Sequence, residues 1–487
     1  MKKAICVILL AFSVFKGVAK TYNITNFGAK GDSLTLNTQA IQKAIDFAYN
    51  AGGGKVLIPK GTFLSGTIFL KSNVELYLAK DAVLLGSADF YQYNKSRWYS
   101  LIIANDAVNI SIKGTGTING QGRKLAKNVF DLVLQGKIED KLELNRPHES
   151  WRPQILELSN CQNITISNIT VKNGSGWVQT YIKCNNLLIS NTKTESTSYW
   201  NNDGMDIVDC KNVTVKGCKV NSADDGICFK SFDPSYTSEN LRVKRCTVRT
   251  SASGIKFGTA SYGNFKTVKI NKIFCYDNYR TVIAIESVDG GTIDDFDVKN
   301  IKGRNVGGAF FIRLGERRTK VGALKNVKFK NIDVEVAASK PDAGYENEGP
   351  TDEDIHPHNT LPSSIVGIPD AFIQNVSIKN LKINYLTQKA ADFIPSPQKD
   401  GGVPLFIKAY PEFNMFGELP AWGIYLRHAK NVSFENTKLL LNGKDYRSAV
   451  VADSIDGLTL KGFKINCISK VKEPVKLINV TNLKSIQ

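Results

Sequence analysis

Two short runs of the chain carry the same acidic pattern. The run N-N-D-G-M-D-I places Asp203 before a glycine, and A-D-D-G-I-C-F does the same for Asp224 and Asp225. In both runs an alternating apolar segment follows, which predicts a strand entered through a bend. Asp203 and Asp224 are 21 residues apart. If one coil of a repeating structure takes about that many residues, the three carboxylates stack on neighbouring rungs, roughly 4.8 Å apart.

Three crowded acids could perform acid–base chemistry. Repulsion between like charges raises the pKa of one carboxyl, so a protonated acid and an ionised base coexist near neutral pH, as glycoside hydrolysis requires. Asp-Gly pairs are also common turn residues. Two such pairs at rung spacing, with a further acid beside the second, form a more specific pattern. Asp203, Asp224 and Asp225 are therefore the candidate catalytic residues.

A repeat in the surrounding sequence could position these acids. Its unit is roughly N-(V/I/L)-x-(I/V/F)-x-N-(I/T/L)-x-(V/I). Units start at Asn163, Asn186, Asn212, Asn240, Thr267, Thr292, Asn326, Asn375, Asn431 and Gly457. Alternation within each unit predicts strands, and the period predicts an all-β parallel β-helix whose coils bury their apolar faces on one another. The recurrent Asn residues suit tight turns and side-chain ladders at coil corners.

The predicted solenoid also decides the number of domains. Length alone would suggest about three domains, but a solenoid grows along its axis with one continuous core. We therefore expect a single domain over residues 20–487. Long spacings between repeats, near residues 337–370 and 388–423, indicate inserted loops.

The first nineteen residues predict a secretory signal peptide. They have a basic start, an apolar run of about a dozen residues and small residues from Gly17 to Ala19. This run is too short to span a membrane, and no later run reaches about 18 apolar residues. The sequence therefore predicts an exported protein, delivered to the periplasm or the cell exterior, without a membrane span.

One amphipathic helix is expected after this segment. Asn37 could cap it, and a glycine run from Gly52 to Gly54 could end it. Five residues share its apolar face: Ala40, Ile41, Ala44, Ile45 and Ala48. We expect this helix to cap the N-terminal end of the β-helix, and we expect no other convincing helix after Lys55.

Charge and cysteine usage narrow the class of partner. The net charge of +18 favours an anionic partner, and for an exported protein an acidic polysaccharide is favoured over nucleic acid. A solvated, lysine-rich surface would account for the same charge. Eight cysteines remain after the signal peptide, several at equivalent repeat positions, so we expect mostly free thiols. No C-x-x-C spacing occurs, and His356 and His358 have no third ligand nearby, so we expect neither a metal site nor a cofactor.

From about Tyr22 through the last repeats, the sequence resembles the polygalacturonases, glycoside hydrolase family 28. N-N-D-G-M-D-I resembles the family's N-T-D-G-x-D, and A-D-D-G-I resembles its G/Q-D-D. The resemblance implies a right-handed parallel β-helix and hydrolysis that inverts the anomeric centre in one displacement, without a metal or a covalent intermediate. It also implies that Asp224 is the general acid, while Asp203 and Asp225 hold and activate water.

Two motifs depart from the family pattern. The family's G-H-G-x-S-I-G-S corresponds to S-G-I-K-F-G-T, so Ser253 replaces its histidine and Lys256 replaces its serine. The family's R-I-K falls on Ala284, Ile285 and Glu286. The cations that hold a galacturonate carboxylate in typical members are therefore missing. A related pectic backbone such as rhamnogalacturonan, or another glycan, is an alternative substrate.

Other residues could replace the missing substrate contacts. Strand parity predicts that six side chains point outward beside the acids: Asp206, Cys228, Lys230, Lys256, Ala284 and Glu286. The candidate substrate-binding residues are Lys230, Lys256, Glu286, Arg313, Arg427 and Trp200. The arginines could grip a uronate carboxylate with two hydrogen bonds, and the tryptophan could stack on a sugar ring. Plainer roles are exposed strand lysines, structural arginines and a tryptophan packed at a corner.

We predict an exported inverting glycoside hydrolase that acts on pectin of the galacturonan or rhamnogalacturonan type. Two alternatives stay open. A polysaccharide lyase would depend on calcium and release an unsaturated product, and a non-catalytic glycan-binding β-helix would bind oligosaccharide without cleaving it. The segment from Tyr410 to Trp422 has aromatics and acids that could wall one end of the cleft, which predicts cleavage from a chain end.

Overall fold

The computed structural model describes residues 20–142, 145–318, 320–337, 361–386, 402–417, 419–468 and 471–486. The predicted signal peptide, His356 and His358 lie outside these ranges. Within them, strands pair in parallel almost throughout. The chain forms a right-handed parallel β-helix, which confirms the predicted fold class.

The strands of the N-terminal half are short. They are β1 Thr21–Asn23, β2 Asp32–Leu36, β3 Gly54–Ile58, β4 Gly61–Ser65, β5 Ile68–Phe69, β6 Val74–Leu78, β7 Ala82–Gly86, β8 Asn94–Lys95, β9 Tyr99–Asn105, β10 Val108–Gly114, β11 Thr117–Asn119, β12 Gln154–Ser159, β13 Gln162–Ser167, β14 Thr170–Lys172, β15 Gln179–Ile182, β16 Asn185–Ser190, β17 Lys193–Ser196, β18 Met205–Val208, β19 Lys211–Lys216, β20 Lys219–Ser222 and β21 Ile227–Ser231.

Later strands are longer, because several continue around the corners of the coil. They are β22 Thr237–Thr250, β23 Ile255–Ser261, β24 Asn264–Ser287, β25 Thr292–Leu314, β26 Ala323–Val336, β27 Ser363–Val366, β28 Ile373–Tyr385, β29 Ala421–Leu441, β30 Ser448–Cys467 and β31 Val475–Ile486.

Three parallel sheets run along the axis. In the first sheet β9, β12, β15, β18, β21 and β23 stack in that order, followed by the end of β24. The second sheet stacks β10, β13, β16, β19 and the start of β22. The third stacks β11, β14, β17, β20 and the end of β22. Each coil thus contributes one strand to each sheet.

One hydrophobic core fills the interior from Ile24 to Leu460. This continuity is what a single solenoid domain requires, and the extent of that domain over residues 20–487 stays a prediction. The eight cysteines are free thiols, seven of them buried, in agreement with the expected small core residues. Among the described residues, no helix is both long and apolar enough to cross a membrane.

Asparagine ladders form at the coil corners, as the repeat predicts. The Asn375 amide donates to Asn326 at 2.8 Å, and Asn431 donates to Asn375 at 3.0 Å. These residues have positive φ angles, which Asn adopts more readily than most residues. The register corrects one unit of the repeat. Phe296 lies between Val268 and Val327, so the unit assigned to Thr292 starts at Asp295 instead.

The expected first helix is present as α1, Thr38–Asn50, which buries Ile41, Ala44, Ile45 and Ala48. Its role as a cap of the β-helix stays a prediction. Asn37 precedes α1 but makes no side-chain capping bond. Its amide instead binds backbone atoms of Lys30 and Thr35, because that loop leaves polar groups to satisfy.

The expectation of no further helix was wrong. A second helix, α2, covers Gly122–Leu134. It buries Leu125, Val129 and Leu132, whose spacing places them on one helical face. This helical periodicity was overlooked because the strand repeats, which start at Asn163, were the dominant pattern.

Candidate active site

The three acids lie at one corner of the β-helix, where the third sheet turns into the first. Backbone hydrogen bonds link this corner from coil to coil. Gly204 N donates to Asp225 O at 2.9 Å, and Gly226 N donates to Ser253 O at 2.9 Å. Asp203, Asp225 and Ser253 are therefore equivalent corner residues in consecutive coils. The rung neighbour of Asp203 is Asp225, not Asp224 as the 21-residue spacing suggested.

Glycine follows each of these corner residues because the coils approach closely. A Cβ atom on Gly204 would lie 2.5 Å from Gly226 O, and one on Gly226 would lie 2.6 Å from Gly254 O. Neither glycine has a positive φ. Lack of space rather than backbone conformation thus explains the glycines of the two Asp-Gly pairs.

Two of the carboxylates are buried side by side. Asp203 and Asp225 are each 3% exposed, and a carboxylate oxygen of each lies within 4.8 Å of the other. At this separation one water molecule could form hydrogen bonds with both carboxyl groups. Asp224 is half-buried and lines, with the other two, a cavity of about 490 Å³. Its Oδ1 accepts a hydrogen bond from Asp225 N at 2.8 Å. We call this space the candidate cavity.

A buried lysine binds Asp203 and its neighbour Asp206. Lys230 Nζ lies 2.8 Å from Asp203 Oδ2 and also binds Asp206 Oδ1. Burial raises the pKa of Asp203 well above its usual range, and repulsion from Asp206 adds to this despite the Lys230 ammonium. Burial also raises the pKa of Asp206 to about 6, against the lowering effect of Lys230. One ammonium thus serves two carboxylates, which favours retention of a proton on the pair.

Around Asp225, in the next coil, cations outweigh the neighbouring acids. Lys256 Nζ lies 3.1 Å from Asp225 Oδ2, and Ser253 N donates to Asp225 Oδ1 at 3.1 Å. Burial alone would raise the pKa of Asp225, but Lys256, Arg280 and Lys230 together hold it below its usual value. Asp225 is therefore the carboxylate of this corner that is held ionised, as a base must be.

Glu286 lies behind this pair. Its Oε2 accepts from Thr259 Oγ1 at 3.0 Å and lies 3.9 Å from Lys256 Nζ. Burial raises the pKa of Glu286 to about 8, although Lys256 opposes the shift. Because Glu286 is neutral near pH 7, the Lys256 ammonium pairs mainly with the Asp225 carboxylate.

Comparison with known proteins supports the resemblance seen in the sequence. The family model of glycosyl hydrolases family 28 matches residues 50–362. The chain belongs to this family.

Curated relatives agree with this assignment, and a solved structure agrees with the fold. A probable polygalacturonase of Vitis vinifera is 28% identical over 66% of the chain, and an exo-poly-alpha-D-galacturonosidase of Dickeya chrysanthemi is 29% identical over 44%. The chain spans only 62% and 42% of the lengths of these two relatives. The family 28 exopolygalacturonase of Yersinia enterocolitica superposes with a TM-score of 0.67 at 18% identity, covering 91% of this chain and 79% of that one. This similarity concerns the fold.

The strand-parity prediction in this family 28 chain is confirmed. Lys256 pairs in register with Cys228 on one side and with Ala284 on the other. Glu286, two residues after Ala284, is the register partner of Arg313 on β25. Lys256, Ala284 and Glu286 therefore lie on the outer face of the first sheet, whereas Ser253 lies at the corner.

Other predicted binding residues lie away from the candidate cavity. Arg313 is 1% exposed and donates to Leu405 O and Phe406 O, both at 2.9 Å. Burial, together with the Arg427 charge, lowers the pKa of Arg313 to about 10. Arg427 itself lies 3.3 Å from Asp453 Oδ2. Neither arginine is among the residues that line the cavity.

Trp200 is also absent from the cavity lining. Its ring faces the guanidinium of Arg146 at 5.4 Å. Two other tryptophans line the cavity instead, Trp98 and Trp177. Their ring centroids are 5.4 Å apart, and Lys230 Nζ lies 3.7 Å from the ring centre of Trp177. Sequence reasoning missed both, because neither belongs to the acidic motifs, although Trp177 lies in the coil directly before Asp203.

Three arginines that the motifs did not reveal line the cavity, Arg146, Arg280 and Arg317, and Arg280 is the one that acts on the pKa of Asp225. Arg280 lies within β24, before the part of that strand that joins the first sheet, and lines the candidate cavity near the acids. Its Nε lies 3.0 Å from Glu412 Oε2, and its terminal nitrogens donate to no acceptor among the described residues. Burial opposes its charge, but Glu412, Asp224 and Asp225 raise the pKa of Arg280 above the usual value. Arg280 is therefore charged and has hydrogen-bond donors to offer.

The segment 402–417 supplies the C-terminal wall of the candidate cavity. Tyr410 and Glu412 both line it, and the ring of Tyr410 lies 5.4 Å from the guanidinium carbon of Arg317. Glu316 N donates to Ile407 O at 2.8 Å, which joins the segment to the β-helix. These residues belong to the aromatic and acidic stretch that the sequence analysis singled out.

A group of possible metal ligands also occurs at the corner. Asp203, Asp225 and Cys228 each bring one ligand atom within 4.8 Å of the others. The ammonium groups of Lys230 and Lys256 bind the two carboxylates and already supply positive charge there. Burial raises the pKa of the Cys228 thiol well above its usual value, which disfavours the thiolate that a metal requires. The site therefore fits lysine ammonium groups better than a metal ion.

Proposed function

We propose that the protein is an exported, inverting glycoside hydrolase that releases short products from the end of a pectic chain. The observation that carries this proposal is the corner itself. It combines two buried carboxylates close enough to share one water molecule with a third, more exposed carboxyl group in the same cavity. Export rests on the N-terminal sequence alone.

The proposed reaction is a single displacement. Asp224 donates its proton to the glycosidic oxygen, and the bond from the anomeric carbon to that oxygen breaks with its electron pair kept by the oxygen. Asp203 and Asp225 hold one water molecule, which attacks the anomeric carbon from the opposite face. Its proton passes to Asp225, the carboxylate that Lys256 and Arg280 hold ionised. The product therefore has an inverted configuration.

Arg280 is proposed to hold the carboxylate of a uronate unit. A guanidinium can bind a carboxylate with two parallel hydrogen bonds. The terminal nitrogens of Arg280 have no acceptor among the described residues, whereas Lys230 and Lys256 are bound to acids. Arg280 thus supplies the free donors that the two lysines cannot, from a position outside the motif that typical family members use.

The wall formed by segment 402–417 supports action at a chain end. Tyr410 and Glu412 bound the cavity on its C-terminal side. A polymer that passed through an open cleft would have to cross this wall. A closed side instead leaves room for one or a few sugar units beyond the acids.

The decisive experiment follows products from several pectic fractions. We expect released reducing sugar with inverted anomeric configuration by NMR, and no unsaturated product absorbing in the ultraviolet. The Asp224→Asn variant should lose at least about 10²-fold in turnover, the usual contribution of a general acid, while its circular dichroism spectrum stays unchanged. Full activity in that variant would remove Asp224 from the mechanism. Binding without cleavage by the parent protein would overturn the hydrolase proposal.

A further inference from the structure

A second concave surface lies at another corner of the β-helix, where the second sheet turns into the third. It is a groove of about 630 Å³, larger than the candidate cavity. Buried side chains form its floor: Cys246, Ile273, Ile301 and Ile332, which are register partners in consecutive coils. We call it the side groove. Its lining continues to the next coil at Lys382, so it spans five coils, roughly 19 Å at about 4.8 Å per coil.

The side groove is strongly cationic. Exposed Arg245, Lys272, Lys302 and Lys382 line it, and the one acid in its lining is Asp333. That acid is already engaged, because a guanidinium nitrogen of Arg304 lies 2.7 Å from its Oδ2.

Most of these cations have no counter-charge. Arg245, Lys272 and Lys302 form no ion pair with any described residue, and Lys382 Nζ is 3.9 Å from Asp333 Oδ1. The groove therefore offers positive charge along its whole length.

An exposed aromatic surface completes the side groove. Phe274 is 38% exposed, and its ring stacks on Tyr276 with centroids 5.6 Å apart and planes at 19°. Phe274 is the register partner of Lys302 in the next coil. A flat apolar ring beside a row of cations can pack against the face of a sugar while the cations bind its carboxylates.

We propose that the side groove is a second, non-catalytic binding site for a polyuronate chain. An extended polymer with one negative charge per sugar matches a groove whose cations recur from coil to coil. The net charge of +18 attracts such a polymer at long range. Binding there would keep the enzyme on its polymeric substrate while the candidate cavity acts on chain ends. The site is separate from the acids and does not depend on turnover.

Affinity electrophoresis tests the proposal without catalysis. The chain carrying Asp224→Asn is run in native gels containing polygalacturonate, alone and with the added changes Lys272→Ala, Phe274→Ala and Lys302→Ala. The matched control adds Lys43→Ala and Lys80→Ala, which remove the same charge from exposed sites on the N-terminal coils. We expect the groove variant to bind roughly ten-fold more weakly, since two charge contacts and one stacking contact are lost. The control should bind like its parent.

Two outcomes would overturn the inference. Equal retardation of the groove variant and the control would show that net charge alone causes binding. Equal retardation of the parent by single-stranded DNA or dextran sulfate would assign the groove to polyanions in general. In the presence of Asp224, the groove variant should hydrolyse di- and trisaccharides at the parental rate but should cleave the polymer more slowly at low concentration. This pattern separates the groove from the candidate cavity.

Discussion

At the scale of single residues, a lysine ammonium group is bound to each of the two buried catalytic candidates of this family 28 chain. Lys230 binds Asp203 and Asp206, and Lys256 binds Asp225. A buried carboxylate without a partner would take up a proton. The two lysines therefore act on the protonation of the acids, and their ion pairs leave substrate binding to other groups.

Replacement of Lys256 by Gln tests this interpretation. Because Lys256 lowers the pKa of Asp225, its loss should raise that pKa and shift the acidic limb of the kcat/KM profile to higher pH. The variant should also lose about 3 kcal/mol of stability or more, since Asp225 stays buried without its partner. A Lys244→Gln variant, changed at an exposed position, serves as the control. An unchanged acidic limb would contradict the assignment of Asp225 as the base.

Replacement of Arg280 by Gln tests the carboxylate contact. The parent enzyme should prefer an oligogalacturonide with free carboxylates over its methyl ester, because esterification removes the charge that Arg280 binds. The variant should raise KM for the free acid by about ten-fold or more and leave KM for the ester nearly unchanged. Equal losses on both substrates would indicate a general effect on the cavity instead.

The sequence predicted that the three acids and both lysines lie close together, because all five residues belong to three adjacent strands, β18, β21 and β23, and their corners, where alternation and spacing fix their positions. It did not identify Arg280 or the tryptophans of the cavity. Arg280 has no motif around it, and its partner Glu412 comes from an inserted segment whose path no periodicity describes. The misplacement of Asp224 as the rung neighbour of Asp203 came from a coil longer by one residue.

At the scale of elements, the repeat predicted the β-helix because each coil buries the same alternating pattern, and a register slip would expose apolar residues. The second helix, α2, was not predicted because it precedes the first repeat unit at Asn163, and the repeats were the dominant periodic pattern. Asn37 shows a similar limit. Its residue type suits a helix cap, but the tertiary fold gives its side chain other partners in the preceding loop.

Substitution of Gly226 by Ala tests the corner as an element. Its Cβ would lie 2.4 Å from Val248 Cγ1 and 2.6 Å from Gly254 O, so the corner must shift. We expect a loss of about 1–3 kcal/mol in the free energy of unfolding and a larger proportional loss of turnover, because Asp225 is adjacent. Gly176→Ala is the control, since its Cβ would meet nothing closer than 3.4 Å. Equal denaturation midpoints for the two variants would contradict this account of the glycine ladder.

At the scale of the whole molecule, the described part of the C-terminal insertion, segment 402–417, bounds the candidate cavity through Tyr410 and Glu412. Arg313 is buried under segment 402–417 and donates to Leu405 O and Phe406 O. Its guanidinium carbon also lies 5.3 Å from the ring centre of Phe416. The arginine first considered for uronate binding thus anchors the wall of the candidate cavity. Arg313 therefore joins the solenoid to the segment on which the proposed mode of cleavage depends.

The products released early in hydrolysis test the proposed mode of cleavage. With the wall in place, early hydrolysis of polygalacturonate or rhamnogalacturonan should accumulate one mono- or disaccharide, because the closed side admits only the end of a chain. The Arg313→Gln variant removes donors to Leu405 O and Phe406 O, so the wall should loosen and intermediate oligomers should appear earlier. Chromatography of products at matched, low conversion measures both effects. An early ladder of intermediate oligomers from the parent enzyme would show that the cleft is open and that cleavage occurs within the chain.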